Sequence, residues 1–174
     1  QALRQEAPGA EAAAEEANAA YAAEIGYMDR HIGRLLHYLD RSGLAETTLV
    51  IVHADHGEML EEKREELYDH GATVFEPAIH VPLLVRGPGI PAGETLSGLV
   101  SLSDLAPSIC AFAGIAWSGA RDGQVLEFTR PEVIQGRDYI FSGASKPWDE
   151  EIEAGEAWIN RRKEHGLRYG NWKL

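Results

Sequence analysis

An apolar run that ends in a group of polar side chains constrains this chain more than any other feature. Leu49–Val52 is continuously apolar, as in a buried strand of a parallel sheet whose two faces are both covered. His53, Asp55 and His56 follow directly, and Gly57 then allows the chain to turn sharply. Ligands of open α/β sheets bind at the carboxyl ends of the strands, and a carboxylate beside an imidazole suits a divalent cation. The run therefore predicts a metal site at the end of a strand.

Asp55 and His56 are the candidate metal ligands of this site. Neighbouring residues of a regular strand point to opposite faces, so these two can share an ion only if the chain has already left the strand. The alternative is a polar strand end followed by a helix cap. His53 lies two residues before Asp55. Its role is open between a ligand, a residue that supports a ligand, and a simple strand end.

A second candidate site residue is His70, in a triplet that repeats the Asp-His-Gly order of residues 55–57. An imidazole at this position could contact the substrate or the leaving group, or carry a proton. The alternative is a histidine of a surface loop. His70 is therefore a candidate catalytic residue.

The length, net charge and cysteine count of the chain limit the kind of domain it can form and the partners it can bind. The chain has 174 residues, enough for one domain with a sizeable core, and a formal net charge of -12. Such a charge argues against nucleic acid or an anionic membrane as the main partner. The sequence contains no apolar run long enough to span a membrane, and its one cysteine, Cys110, excludes an intrachain disulfide. Compartment and oligomeric state are not indicated.

The order of predicted elements indicates the α/β class with a small antiparallel addition at the C-terminus. Residues 1–17 are predicted to be a disordered or helical lead-in, 18–136 the main α/β domain, and 137–174 the start of the antiparallel subdomain. The predicted elements are a helix over about 18–40 that Ser42-Gly43 ends, strands at 48–53 and 79–85, a helix over 103–114 with Ser103 as N-cap, a strand at 138–142, and a strand pair at 165–174.

Blocks of sequence in a fixed order resemble the sulfatase family of the alkaline phosphatase superfamily, from about residue 18 to 174. The blocks are residues 28–36, 49–58, 75–89, 100–108 and 166–174. The resemblance implies an αβα sandwich with a mixed, mostly parallel sheet. It also implies hydrolysis of a small-molecule or carbohydrate sulfate ester at a single divalent ion, usually calcium.

The resemblance assigns the site residues more narrowly. Asp55 and His56 match the second pair of metal ligands of the family, and His70 lies beside the position, Gly71, at which many sulfatases place a sulfate-contacting lysine. The first ligand pair and the nucleophile, which lies in a Cys/Ser-x-Pro-x-Arg motif, belong to the N-terminal part of the family. Cys110 is followed by Ala-Phe-Ala and is not that nucleophile. We therefore expect residues 18–136 to be the C-terminal part of a sulfatase catalytic domain that is inactive alone.

Two alternatives stay open. The first is a phosphodiesterase, phosphonate monoester hydrolase or phosphoglycerol-type transferase of the same superfamily, with manganese or zinc in place of calcium. The second is a catalytically inactive fragment or binding module that retains half a site. The nucleophile would distinguish the first alternative from a sulfatase, and turnover by the 174-residue chain alone would exclude the second.

Overall fold

The computed structural model of the chain describes residues 10–60, 70, 73–117, 122–144 and 164–174. Its helices and strands are α1 (Ala10–Ser42), β1 (Val50–His53), α2 (Glu76–Ile79), β2 (Leu83–Arg86), α3 (Leu105–Phe112), β3 (Tyr139–Ala144), β4 (Glu164–Tyr169) and β5 (Trp172–Lys173). Short 3-10 turns lie at Leu44–Thr47, Leu102–Asp104 and Pro131–Val133. None of the helices in these ranges is long and apolar enough to cross a membrane.

Helix α1 begins earlier than the apolar periodicity predicts. The stretch from Ala10 is rich in Ala and Glu, which favour helix even without an apolar stripe, so residues 10–17 of the lead-in are helical. The predicted end is confirmed: Gly43 adopts a φ of 74° directly after Ser42. Ile25 and Met28 of the apolar stripe remain about half exposed among the described residues.

Strand β1 pairs with β2, and the pairing is antiparallel, with Val50 opposite Arg86 and His53 opposite Leu83. The apolar run favoured a parallel neighbour for this strand. Among the described residues, its neighbour β2 is antiparallel instead. A continuous apolar run indicates that both faces are covered, but it does not fix the direction of the neighbouring strand. The predicted strand at 79–85 is also shorter than expected, because α2 occupies its start and Pro82 precedes β2.

The turn before α3 is capped by a different serine from the one predicted. Ser101, not Ser103, is the N-cap: its side chain accepts from the Ser103 N–H, and the Asp104 carboxylate accepts from the Ser101 N–H at 2.8 Å. This capping box needs an acidic residue three positions after the cap, which only Ser101 has. Gly114 ends the helix with a φ of 68°, as predicted.

The fully buried carboxylate of Asp104 joins α3 to the segment that enters β3. Its oxygens accept from the Arg137 guanidinium and from the Gln124 N–H, the latter at 2.7 Å. Burial alone would raise the pKa of Asp104, but the hydrogen bonds from Arg137 and from backbone amides hold this pKa below its usual value. Arg137 is in turn fixed by a backbone bridge to Leu99. Asp104 is therefore an ionised structural residue.

The C-terminal residues form the predicted antiparallel sheet, in the order β3-β4-β5, with a turn at Gly170-Asn171. This sheet lies against the segment that leads into α2. Arg168 pairs with Glu76, and Gly166 approaches Val74 so closely that a Cβ would lie 3.0 Å from its Cγ2. The sheet therefore holds the chain that follows His70.

Arg137→Ala should lower the free energy of unfolding of the full-length protein by about 3–5 kcal/mol, because it leaves the Asp104 carboxylate buried without its cation. The matched control is Arg130→Ala, whose ion pair with Glu127 is exposed on both sides, and which should cost less than about 1 kcal/mol. Urea denaturation measures both. Equal losses of unfolding free energy in the two variants would show that the Asp104–Arg137 ion pair does not anchor α3.

Candidate metal centre

The polar residues after β1 are positioned by a close approach of two backbones. The Gly57 N–H donates to the Ala78 carbonyl at 2.8 Å, and a Cβ on Gly57 would lie 1.9 Å from the Pro77 carbonyl oxygen. Gly57 does not belong to the described glycines with positive φ. The glycine is therefore required by this approach to α2, rather than by the sharp turn that the sequence suggested.

The side chains of Asp55 and His56 converge at this strand end. His56 Nδ1 lies 2.8 Å from the Gly57 carbonyl oxygen. Because a carbonyl only accepts, Nδ1 carries the proton and the lone pair is on Nε2. His56 Nε2 lies 3.7 Å from Asp55 Oδ2, while the other carboxylate oxygen accepts from the His56 N–H at 3.0 Å. One unprotonated nitrogen and one carboxylate oxygen thus face the same space.

Asp55 is ionised in this arrangement. Hydrogen bonds from its own backbone N–H and from that of His56 lower the pKa of Asp55. The Asp55 side chain is 87% exposed, so it is accessible to an ion from solvent.

The pair fits part of a divalent-ion site. Two donor atoms that each bind one ion at about 2.0–2.4 Å lie roughly 3–4 Å from each other, which is the separation of Asp55 Oδ2 and His56 Nε2. The orientation of His56 by a backbone carbonyl on its other nitrogen is also typical of ligating histidines. Within the described ranges, no group of three or more His, Cys, Asp or Glu residues could hold an ion. Asp55 and His56 therefore stay candidate ligands, and their geometry is compatible with part of such a site.

His70, the candidate catalytic residue, lies beside His56, and its catalytic role stays a prediction. Its ring stacks on that of His56 with the centroids 4.1 Å apart and an angle of 16° between the planes. Its Nδ1 lies 3.1 Å from Glu58 Oε2. The flanking residues Asp69 and Gly71 lie outside the described residues.

His53 Nδ1 lies 3.1 Å from the Ala54 carbonyl oxygen, and the role of His53 in the site stays a prediction. Glu58 was missed as a site residue. The available signal was its place three positions after Asp55, in the same polar stretch at the strand end.

The polar residues Glu76, in α2, and Arg86, at the end of β2, form ion pairs with other elements. Burial opposes the ionisation of Glu76, but Arg168 and Lys173 bring its pKa below the usual value. Arg86 pairs with Asp40 of α1 across the surface. These contacts join α1 to β2 and the C-terminal sheet to α2.

Comparison with known proteins identifies the family. The family model described as Sulfatase matches residues 3–115, which is more than half of the chain. The chain belongs to the sulfatase family. This sulfatase chain is 33% identical over 128 residues to arylsulfatase K of Bos taurus, a match that covers 74% of the chain and 23% of the relative. It is 35% identical over 102 residues to choline-sulfatase of Rhizobium meliloti (strain 1021), covering 59% of the chain and 19% of that enzyme.

Solved structures confirm the α/β class of this sulfatase chain. A phosphonate monoester hydrolase from Silicibacter pomeroyi matches with a TM-score of 0.70 and 30% identity, over 84% of the chain and 29% of the hydrolase. A protein solved in complex with its substrate D-glucosamine-2-N,6-O-disulfate matches with a TM-score of 0.67 and 27% identity, over 84% of the chain and 28% of that protein. The chain thus spans less than a third of each of these relatives, and members of their superfamily are metal-dependent.

Gly57→Ala should weaken divalent-metal binding by the full-length protein about 10–100-fold, because the Pro77 carbonyl must move away and the supporting backbone moves with it. Gly26→Ala is the matched control. Gly26 lies in α1 with nothing within 4 Å of its added Cβ, so alanine there should leave metal affinity unchanged and favour the helix by up to about 1 kcal/mol. Calorimetric titration measures the affinity. Wild-type affinity in Gly57→Ala would contradict the proposed support of the site.

Proposed function

We propose that this chain supplies the metal-ligating C-terminal part of an enzyme that hydrolyses sulfate esters. The observation that carries the proposal is the approach of Asp55 Oδ2 and His56 Nε2 to 3.7 Å at the end of β1, in a chain of the sulfatase family. The stacking of His70 on His56 supports it, because it brings a third functional side chain to the same place.

The chemistry needs the groups that this centre presents. Cleavage of a sulfate ester builds negative charge on the leaving oxygen, and a bound divalent cation would neutralise sulfate oxygens and orient the nucleophile. Asp55 contributes a negative charge for the cation, and His56 contributes a lone pair whose direction the Gly57 carbonyl fixes. His70 contacts the substrate or protonates the leaving oxygen. The first ligand pair and the nucleophile are assigned to the rest of the full-length protein.

Calcium is the metal that the family resemblance favours. An imidazole nitrogen is an uncommon ligand for calcium, which prefers oxygen, and it suits manganese or zinc as well. The substrate proposed is a small molecule or carbohydrate that carries a sulfate ester. The disulfated glucosamine bound by one of the structural neighbours supports this class.

A phosphonate monoester hydrolase is the second candidate. The structural match to the Silicibacter pomeroyi enzyme, at 30% identity, favours it specifically. Both reactions displace an ester oxygen from a tetrahedral, anionic centre, so the same Asp55–His56 pair would serve either one.

The full-length protein should hydrolyse an aryl sulfate faster than an aryl phosphonate monoester, and only with calcium, manganese or zinc present. Asp55→Ala should abolish the metal-dependent activity, because the ion loses a charged ligand. His70→Ala should lower kcat by about 10²–10⁴-fold while changing metal affinity far less. Steady-state kinetics and metal titration measure these effects, with His37→Ala, an exposed histidine of α1, as the matched control.

Each result has a distinct meaning. Unchanged metal affinity in Asp55→Ala would refute the ligand assignment, and loss of metal binding in His70→Ala would make His70 a ligand. Faster phosphonate hydrolysis would favour the second candidate. Turnover by the 174-residue chain alone would contradict the proposal that the nucleophile lies elsewhere.

A further inference from the structure

We propose that Glu58 is a positioning residue for His70, which it holds with Nδ1 protonated so that Nε2 is the nitrogen that acts on the substrate. The role of Nε2 rests on the proposed function. The orientation and the tautomer are properties of this chain, and they can be measured without turnover.

The contact itself is specific. Glu58 Oε2 lies 3.1 Å from His70 Nδ1. An ionised carboxylate only accepts hydrogen bonds, so the proton of this bond belongs to Nδ1 of the imidazole. In the neutral ring the lone pair is then on Nε2, at the opposite side from Glu58.

The carboxylate is better fixed than the histidine. The Glu58 side chain is 23% exposed, whereas the His70 side chain is 47% exposed. On one side of Glu58 the Gly57 N–H is bonded to the Ala78 carbonyl, and on the other side Met59 is fully buried. Glu58 therefore acts as a fixed reference for His70, which lies twelve residues further along the chain.

Among the described residues, Glu58 and His56 both contact the His70 ring. Glu58 holds it at the Nδ1 edge, and His56 holds it by stacking on its face at 4.1 Å. An edge contact and a face contact together restrict both the translation and the rotation of the ring. The carboxylate–imidazole pair beside a reacting centre is an arrangement that orients a proton carrier.

A contribution to folding stability does not explain why a glutamate occupies position 58. Its second oxygen, Oε1, is buried and has no hydrogen-bond partner among the described residues. A buried carboxylate oxygen without a partner costs desolvation free energy, and a single hydrogen bond to a half-exposed imidazole contributes little in return. The residue is more readily explained by its effect on His70.

The experiment compares two substitutions of nearly equal size in the full-length protein. Glu58→Gln keeps an oxygen that accepts from Nδ1, whereas Glu58→Met fills the same space and offers only a weakly accepting sulfur. Glu58→Met should lower kcat about 10–100-fold with KM and metal affinity little changed, and Glu58→Gln should recover most of the loss. In a His70→Ala background, Glu58→Met should add almost no further loss, because Glu58 acts through His70.

A second measurement is independent of activity. Nitrogen-15 NMR of histidine-labelled protein should show His70 as the Nδ1–H tautomer in the wild type and in Glu58→Gln, and a shift towards the Nε2–H tautomer in Glu58→Met. If the protein hydrolyses neither ester but the tautomer depends on Glu58, the proposed function fails and the positioning role stands.

Three results would overturn the inference. The first is an unchanged His70 tautomer in Glu58→Met. The second is an equal loss of kcat from Glu58→Met with and without His70. The third is a loss of metal affinity as large as that of Asp55→Ala, which would make Glu58 a metal ligand.

Discussion

The approach of the Gly57 backbone to Pro77 and Ala78 is the constraint on which the candidate centre depends. It places the strand end of β1 against α2 with a 2.8 Å hydrogen bond and no space for a side chain. The antiparallel pairing of β1 with β2, the strand that follows α2, also holds β1 close to this part of the chain. The C-terminal sheet then supports α2 through the Arg168–Glu76 ion pair. Elements far apart in sequence thus fix the residues of the candidate centre.

The geometry after β1 allows the side chains of two adjacent residues to face the same space. Side chains of Asp55 and His56 would diverge in a regular strand, but β1 ends at His53 and the chain beyond it is free of the pleat. Backbone groups then orient both side chains: the His56 N–H binds the carboxylate, and the Gly57 carbonyl binds Nδ1. The two side chains are thus oriented by backbone groups of residues 56 and 57, while the contact of Gly57 with α2 holds that backbone in place.

The sequence predicted the features that depend on local order. The end of α1 at Ser42-Gly43, the hairpin turn at Gly170-Asn171 and the Asp55–His56 pair each follow from neighbouring residues. His70 was placed in the site by a repeated triplet and a family resemblance, and its stacking on His56 agrees with that placement.

Features that depend on distant residues were not predicted. The antiparallel direction of β2 depends on how the chain returns to β1, and an apolar run carries no information on that direction. The N-cap was predicted at Ser103 instead of Ser101 because both residues are serines. Only the capping box with Asp104 distinguishes them. Glu58 was missed because its partner His70 is brought back only by the fold.

The most direct test of the central claim is the structure of the full-length protein loaded with manganese, with the ion located by its anomalous scattering. If Asp55 and His56 are metal ligands, we expect an ion within about 2.0–2.4 Å of an Asp55 carboxylate oxygen and of His56 Nε2. His56 Nδ1 should still be bonded to the Gly57 carbonyl. An ion that binds neither residue, or that binds His56 through Nδ1, would contradict it.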